Sequence, residues 1–188
     1  GFDDRLPPAD LRPLNLYGKS KNDFDVWALE QVAAGLAPPR WAGLKFFNVY
    51  GPGETHKGKM ASVVWHAYRQ VLDAGRIRLF RSNDPAIADG EQKRDFVFVE
   101  DCVDHMIWLM NHAHANGIFN SGTGTARTFA DLARAVFAAL GREPTIDFID
   151  MPAALLAQYQ NFTQADMSKL RQAGYSEEPT SLEEGIAR

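Results

Sequence analysis

The sequence predicts an α/β protein, because short apolar runs of strand length alternate along the chain with longer runs of helical spacing. Two further observations point the same way. The run at 41–47 is short, apolar and bounded by loop residues, as expected of a buried strand. Val63, Val64, Ala67, Tyr68, Val71 and Leu72 recur at the three- and four-residue spacing that puts them on one helix face. The chain's 188 residues, 45% of them hydrophobic, suffice to bury a core.

Residues 1–16, rich in Pro and Asp, read as an extended loop. A helix follows over 17–36, with Phe24, Trp27, Leu29 and Val32 among its apolar positions, stopped by Gly35 and Pro38–Pro39. After the strand at 41–47, residues 48–59 form a loop dense in Gly and Pro. The helix carrying Val63 to Leu72 ends at Gly75, and a strand at 77–80 leads into a polar loop at 82–92, read as a mobile surface segment. Residues 95–99 alternate towards a strand, and a helix starts at Glu100 or Asp101 and runs to about 111. A strand at 118–120 precedes the turn Gly122–Thr123–Gly124; a helix at 128–140, a strand at 146–149 and mostly short helices complete the chain. No repeat and no low-complexity tract interrupts this order.

The formal net charge of −4 and the absence of a Lys/Arg-rich run exclude nucleic acid as an expected partner. No apolar stretch approaches the roughly 18 residues a membrane span requires, and no signal-peptide pattern opens the chain, so the expectation is a cytoplasmic protein with no membrane partner. Cys102 is the single cysteine, which fits a reducing compartment and reads as inert packing. His105, His112 and His114 lie on or just beyond one helix, but no Cys or carboxylate pattern completes a metal site around them, so no metal is expected. Trp27, Trp65 and Trp108 on helices read as core or interface residues.

Three elements carry candidate chemistry. Tyr17 and Lys21 are four apart at the start of a helix and share a face. An ammonium beside a phenol stabilises phenolate, and such a pair can move a proton to or from a carbinol while hydride moves to a nicotinamide. The same spacing is also common among solvated helix residues. Phe47–Asn48–Val49–Tyr50–Gly51–Pro52 ends a buried strand, where open α/β sheets place ligands; a plain strand followed by a Gly-Pro turn reads as well. Lys93–Arg94 precedes a strand and Glu100–Asp101 begins a helix. The planar fork of Arg94 suits a diphosphate, and Asp101 suits an N-cap or a first-turn acid complementing the helix dipole.

In this order the three elements resemble the extended short-chain dehydrogenase/reductase family, the NAD-dependent epimerases and dehydratases. Within it the stretches at 47–51, at 54–62 (Glu-Thr-His-Lys-Gly-Lys-Met-Ala-Ser) and at 162–166 (Phe-Thr-Gln-Ala-Asp) are similar to the branch that acts on ADP-bound heptose. The resemblance runs from Asp3–Asp4 to the C-terminus. A dinucleotide-binding fold of this kind opens with a strand, a Gly-x-Gly-x-x-Gly turn and a helix, whereas this chain opens in a loop and Gly122–Thr123–Gly124 lacks the third glycine. The resemblance therefore implies the C-terminal part of an extended Rossmann-type epimerase, without the glycine-rich segment: the last strands and helices of the parallel sheet plus the substrate-binding α/β lobe. On this division residues 1–60 belong to the dinucleotide-binding domain and 61–188 mainly to the substrate lobe, with about 95–120 returning to the Rossmann sheet.

For function, the resemblance implies inversion at C6 of ADP-D-glycero-D-manno-heptose, by transient oxidation to a ketone with bound NADP (or NAD) and return of hydride, in lipopolysaccharide core synthesis. Two bases are implied, Tyr17 assisted by Lys21, and Lys57. The same residues and Val49 lie against the cofactor. Asn48, Lys59, His66, Phe80, Arg81, Ser82, Asn83, Arg94 and Tyr159 are the implied substrate contacts. Lys59 stands where relatives commonly carry Ser, Arg81–Ser82–Asn83 replaces a typical Glu-Gly-Ser, and the loop from 82 to 92 is longer than theirs. The resemblance also implies a homo-oligomer, a pentamer by analogy. Two alternatives stay open: another nucleotide-sugar epimerase or 4,6-dehydratase of the family, and an inactive fragment lacking the cofactor loop.

Overall fold

The computed structural model describes residues 3–156 and 159–188. Gly1 and Phe2 of the expected opening loop, and Ala157 and Gln158 within the expected run of short helices, lie outside the described residues.

Helix α1 (Leu16–Ala33) begins where the Asn15 side chain accepts the N–H of Gly18. A single 3-10 turn, Pro8–Asp10, precedes it and is tied to it by the Asn22 amide, which donates to the Pro8 carbonyl at 2.9 Å. Strands β1 (Ala42–Phe46) and β2 (Asn48–Tyr50) follow, so the expected loop at 48–59 starts with a strand. A 3-10 segment, Thr55–Met60, leads to helix α2 (Val63–Ala74), capped by the Ser62 hydroxyl and closed by Gly75, whose φ of 68° is the left-handed geometry glycine adopts without strain. Then come β3 (Ile77–Phe80), β4 (Lys93–Arg94), β5 (Phe96–Phe98) and α3 (Val99–Asn111). The remaining elements are β6 (Gly117–Ser121), β7 (Arg127–Thr128), α4 (Phe129–Ala139), β8 (Ile146–Ile149), α5 (Ala153–Leu156), α6 (Ser168–Gln172) and α7 (Leu182–Ala187).

The strands associate in pairs, three parallel (β1 with β6, β2 with β5, β3 with β8) and one antiparallel (β4 with β7). Parallel pairing needs a crossover, and each of the three pairs here is bridged by at least one helix. The segment 42–50 changes partner in its middle. Phe47 still donates to the Ser121 carbonyl, while the next N–H, of Asn48, donates to the carbonyl of Asp95. The ends of β1 and β6 and the starts of β2 and β5 thus meet at one place.

The larger core lies between α2, α4 and α7 and strands β2, β3 and β5, with Val71, Phe98, Leu132 and Phe137 fully buried. Gly185 of α7 packs directly on the Tyr50 ring, where a Cβ would overlap the phenol oxygen. A smaller cluster joins α3, β6 and α6 through Leu109, Phe119 and Leu170. Helix α1 departs from expectation. Its apolar residues Phe24, Trp27, Leu29 and Val32 are exposed, and only Asn22 is buried. Those residues are scattered around the helix, so no single stripe exists to bury, and a polar residue and the Lys45–Asp25 ion pair to β1 hold α1 in place. The loop at 82–92 is also not the unanchored segment its composition suggests. The Asp89 carboxylate accepts the N–H of Ser82 at 2.8 Å and an Arg81 N–H at 3.0 Å, and the Gln92 amide reaches back to the Phe80 carbonyl.

Candidate active site

The head of α1 places Tyr17 and Lys21 one turn apart, with the Lys21 amine 5.4 Å from the centre of the Tyr17 ring. The Tyr17 side chain is 74% exposed, so its hydroxyl is open to an incoming group. At the end of β2, Asn48 is exposed and Val49 half-buried beside it, and Tyr50 points inward, where burial pushes its phenol far above the ordinary value. Gly51 turns the chain so close to Val99 that a Cβ would meet the Val99 side chain at 2.5 Å. No larger residue fits there.

The segment that follows presents Lys57. Its amine lies 3.3 Å from Glu54, and Gly58, at φ 54°, bends the backbone between Lys57 and Lys59. Lys59 and His66 line an open groove of about 750 Å³ along α2, together with Arg69, Gln70, Arg76 and Arg78.

A third group gathers at the ends of β3 and β4. The Arg94 guanidinium sits between two rings, 5.2 Å from the centre of Tyr159 and 5.6 Å from that of Phe129, and Phe80 meets Tyr159 edge-on at 6.4 Å. Burial lowers the pKa of Arg94 and raises that of Tyr159, the latter shift opposed by the Arg94 charge. The guanidinium donates to the carbonyl of Lys93 and forms no ion pair with a carboxylate among the described residues. A partly desolvated cation without a counter-ion is suited to take an anionic group from outside. Asn83 reaches the Leu156 carbonyl at 3.4 Å. Arg81 differs: its guanidinium is occupied by Asp89 at 3.0 Å and Asp150 at 3.5 Å, and Ser82 donates to the Asp84 carbonyl, so both spend their polar groups inside the protein.

The structure thus gathers the candidates as three groups: Tyr17 with Lys21, Lys57 with the groove residues Lys59 and His66 beyond it, and Phe80 with Arg94 and Tyr159. No hydrogen bond, ion pair or ring contact joins one group to another among the described residues. Two residues that sequence reasoning passed over organise the surroundings. Asp95, wholly buried, accepts the N–H groups of Thr123, Gly124 and Ala165 at 2.8, 2.9 and 3.0 Å and the Thr123 hydroxyl at 2.7 Å. Glu54, 5% exposed, holds Ser62 as well as Lys57. The one signal for Asp95 is its place between Arg94 and an apolar triplet, where a charge needs buried donors. Among the described residues no group of three or more His, Cys, Asp or Glu is placed to hold a metal ion, and no helix is long and apolar enough to cross a membrane.

A Tyr-x-x-x-Lys pair heads a helix in a paired-strand α/β body, a Rossmann-type arrangement, and comparison with known proteins identifies the family. The model of the NAD dependent epimerase/dehydratase family matches residues 2–122, more than half of the chain, and the protein belongs to that family. The chain is 52% identical over 188 residues to ADP-L-glycero-D-manno-heptose-6-epimerase of Nitratidesulfovibrio vulgaris, an alignment covering 99% of this chain and 57% of that one. It is similar to the crystal structure of the Helicobacter pylori protein of that name, at TM-score 0.74 and 29% identity, over 93% of this chain and 50% of the other. It is also similar to Thermus thermophilus UDP-glucose 4-epimerase in complex with NAD, at TM-score 0.73 and 26% identity, over 94% and 53%. The chain spans little more than half the length of these relatives. One expectation is corrected here. The family domain begins at residue 2 and fills the first part of the chain, so the α/β Rossmann-type epimerase class stands but the placing of this chain in the C-terminal part of that fold does not. The absence of an opening glycine turn is a local motif, and a local motif is a weaker guide to position than a match across 2–122.

Proposed function

We propose that the intact protein is an ADP-heptose 6-epimerase, inverting C6 of ADP-D-glycero-D-manno-heptose to the L-glycero form for lipopolysaccharide core synthesis. The observation that carries the reading is the exposed Tyr17 phenol with the Lys21 amine one turn behind it. The donor set suits the nicotinamide-ribose end of NADP, or of NAD: an ammonium for the ribose diol, an open phenol for the reacting hydroxyl, and the apolar Val49 at a strand end. When bound, that cofactor accepts hydride from C6 and gives it back to the opposite face.

Tyr17 takes the hydroxyl proton as the carbinol is oxidised, and Lys21 stabilises the phenolate. The epimers present their hydroxyls on different sides, so a second group is needed, and Lys57 fills that role beside Asn48, Lys59 and His66 on the sugar. Arg94 holds the diphosphate, and Phe80, Ser82, Asn83 and Tyr159 border the nucleotide. Residues 1–60 serve mainly the cofactor and 61–188 mainly the substrate, in a cytoplasmic homo-oligomer. The 188 residues by themselves are expected to be inactive. The second reading is a different nucleotide sugar as the substrate of a 4-epimerase or 4,6-dehydratase of the same family. Preference for UDP- or dTDP-sugars over ADP-sugars would select it.

Tyr17→Phe tests the proposal. Loss of the phenol oxygen that takes the proton is expected to lower epimer interconversion by about 10³-fold in the intact protein, within the usual range for a general acid–base group. Near-normal turnover in Tyr17→Phe refutes the role of Tyr17, and failure of the intact parent to interconvert the epimers refutes the epimerase reading.

A further inference from the structure

We infer that Glu54 is a positioning residue, which fixes the Lys57 amine on its loop and so sets the rate of the second proton transfer. The inference rests on the epimerase reading above.

The geometry is specific to this carboxylate. Oε1 accepts the backbone N–H of Ser62 at 2.9 Å and lies 3.3 Å from the Lys57 amine, and Oε2 accepts the Ser62 hydroxyl. That hydroxyl in turn accepts the N–H of Trp65 at 3.2 Å and so caps α2. The Lys57 backbone N–H donates to the Glu54 carbonyl at 2.9 Å. One buried side chain therefore grips the start of α2 with one hand and the loop amine with the other. Capping alone does not require a negative charge, since Ser62 supplies the cap itself. The charge is needed for Lys57, whose flexible four-carbon stem otherwise sweeps a wide volume. The side chain of Lys57 is 45% exposed while that of Glu54 is 6% exposed, so a rigid anchor meets a mobile amine. A proton-transfer group displaced by about 1 Å loses on the order of 10²-fold in rate, so an anchor of this kind acts on kcat.

The test is a double-mutant cycle in the intact protein, with kcat and KM for epimer interconversion and the melting temperature read for each variant. Glu54→Gln keeps acceptor and donor atoms for Ser62 but removes the charge facing Lys57. It is expected to lower kcat about ten-fold, with KM changed less than about two-fold and the melting temperature within a few degrees. In a Lys57→Met background it is expected to cost nothing further, because the group it acts through is gone. An unchanged kcat in Glu54→Gln, or an equal loss with and without Lys57, overturns the inference. Should Glu54→Gln melt far below the parent, the same cycle is read in Glu54→Asp, which keeps the charge on a shorter stem; losses additive with Lys57→Met overturn the inference there too. The parent assayed alongside separates the two levels. If the intact protein does not interconvert the epimers, the epimerase reading falls and this inference with it; if it does and Glu54→Gln is normal, only the role of Glu54 falls.

Discussion

At Asp95 a carboxylate with no exposure to solvent receives four hydrogen bonds from Thr123, Gly124 and Ala165, while its own carbonyl receives the N–H of Asn48. One residue thereby joins the start of β2, the turn after β6 and the segment before α6. Gly122 lies against it so closely that a Cβ would meet an Asp95 oxygen at 3.0 Å. Replacing Asp95 by Asn substitutes an N–H₂ for one acceptor oxygen and points it at backbone donors. The expected cost is about 2–4 kcal/mol, read as a lower denaturant midpoint with an unchanged slope. None of this was legible in the sequence, because the four donors lie 28 to 70 residues away and only the fold brings them in. Arg94 was legible as a candidate for holding an anion, since it stands next to a strand beside a second basic residue. Its two aromatic neighbours were not, as Phe129 and Tyr159 are distant in the chain.

Helix α3 shows the same logic over a whole element. Its inner face is partly polar: Asp101 accepts the N–H and the hydroxyl of Thr180, and His105, 2% exposed, meets the Ser121 hydroxyl at 2.8 Å and the Tyr175 ring edge-on at 4.8 Å. Beside them burial pushes the Cys102 thiol up to about 11, which makes it a poor nucleophile, as expected of a packing residue. Burial lowers the His105 pKa below its ordinary value, with Asp101 and Asp104 opposing the shift. In the unfolded chain His105 takes a proton near its ordinary value of about 6.5, while in the fold it stays neutral to lower pH. Below about pH 6.5 the unfolded state therefore binds more protons, so this stabilisation is present above that value and is lost as pH falls through the folded pKa. Denaturation midpoints at about pH 7.5 and 5.5 are expected to differ more in the parent than in His105→Gln. An identical pH dependence in the two proteins contradicts this. The sequence indicated where α2 and α4 lie because their apolar spacing matches their buried faces. It indicated α1 as a helix but not which way its apolar residues face, because counting apolar residues says nothing about whether they share a side.

Over the whole molecule, alternation of strand and helix was enough to assign the α/β class, since it depends on local periodicity alone. Which strands pair was not accessible: β1 joins β6 across some seventy intervening residues, and β3 joins β8 at similar distance. Position within the larger fold is not set by the missing opening strand, glycine turn and helix, since the family match begins at residue 2. The chemistry was carried by short motifs, Tyr17 to Lys21, 47–52 and 93–101, and these lie at the head of α1, the end of β2 and the β4–β5 junction. The central claim is that hydride leaves C6 of an ADP-bound heptose and returns to the other face, with Tyr17 handling the proton. The direct measurement is to incubate the intact protein with one C6 epimer in deuterated water and follow epimer ratio and deuterium at C6 by NMR. The account predicts both epimers with no solvent deuterium at C6; no interconversion, or deuterium at C6 in the product, would contradict it.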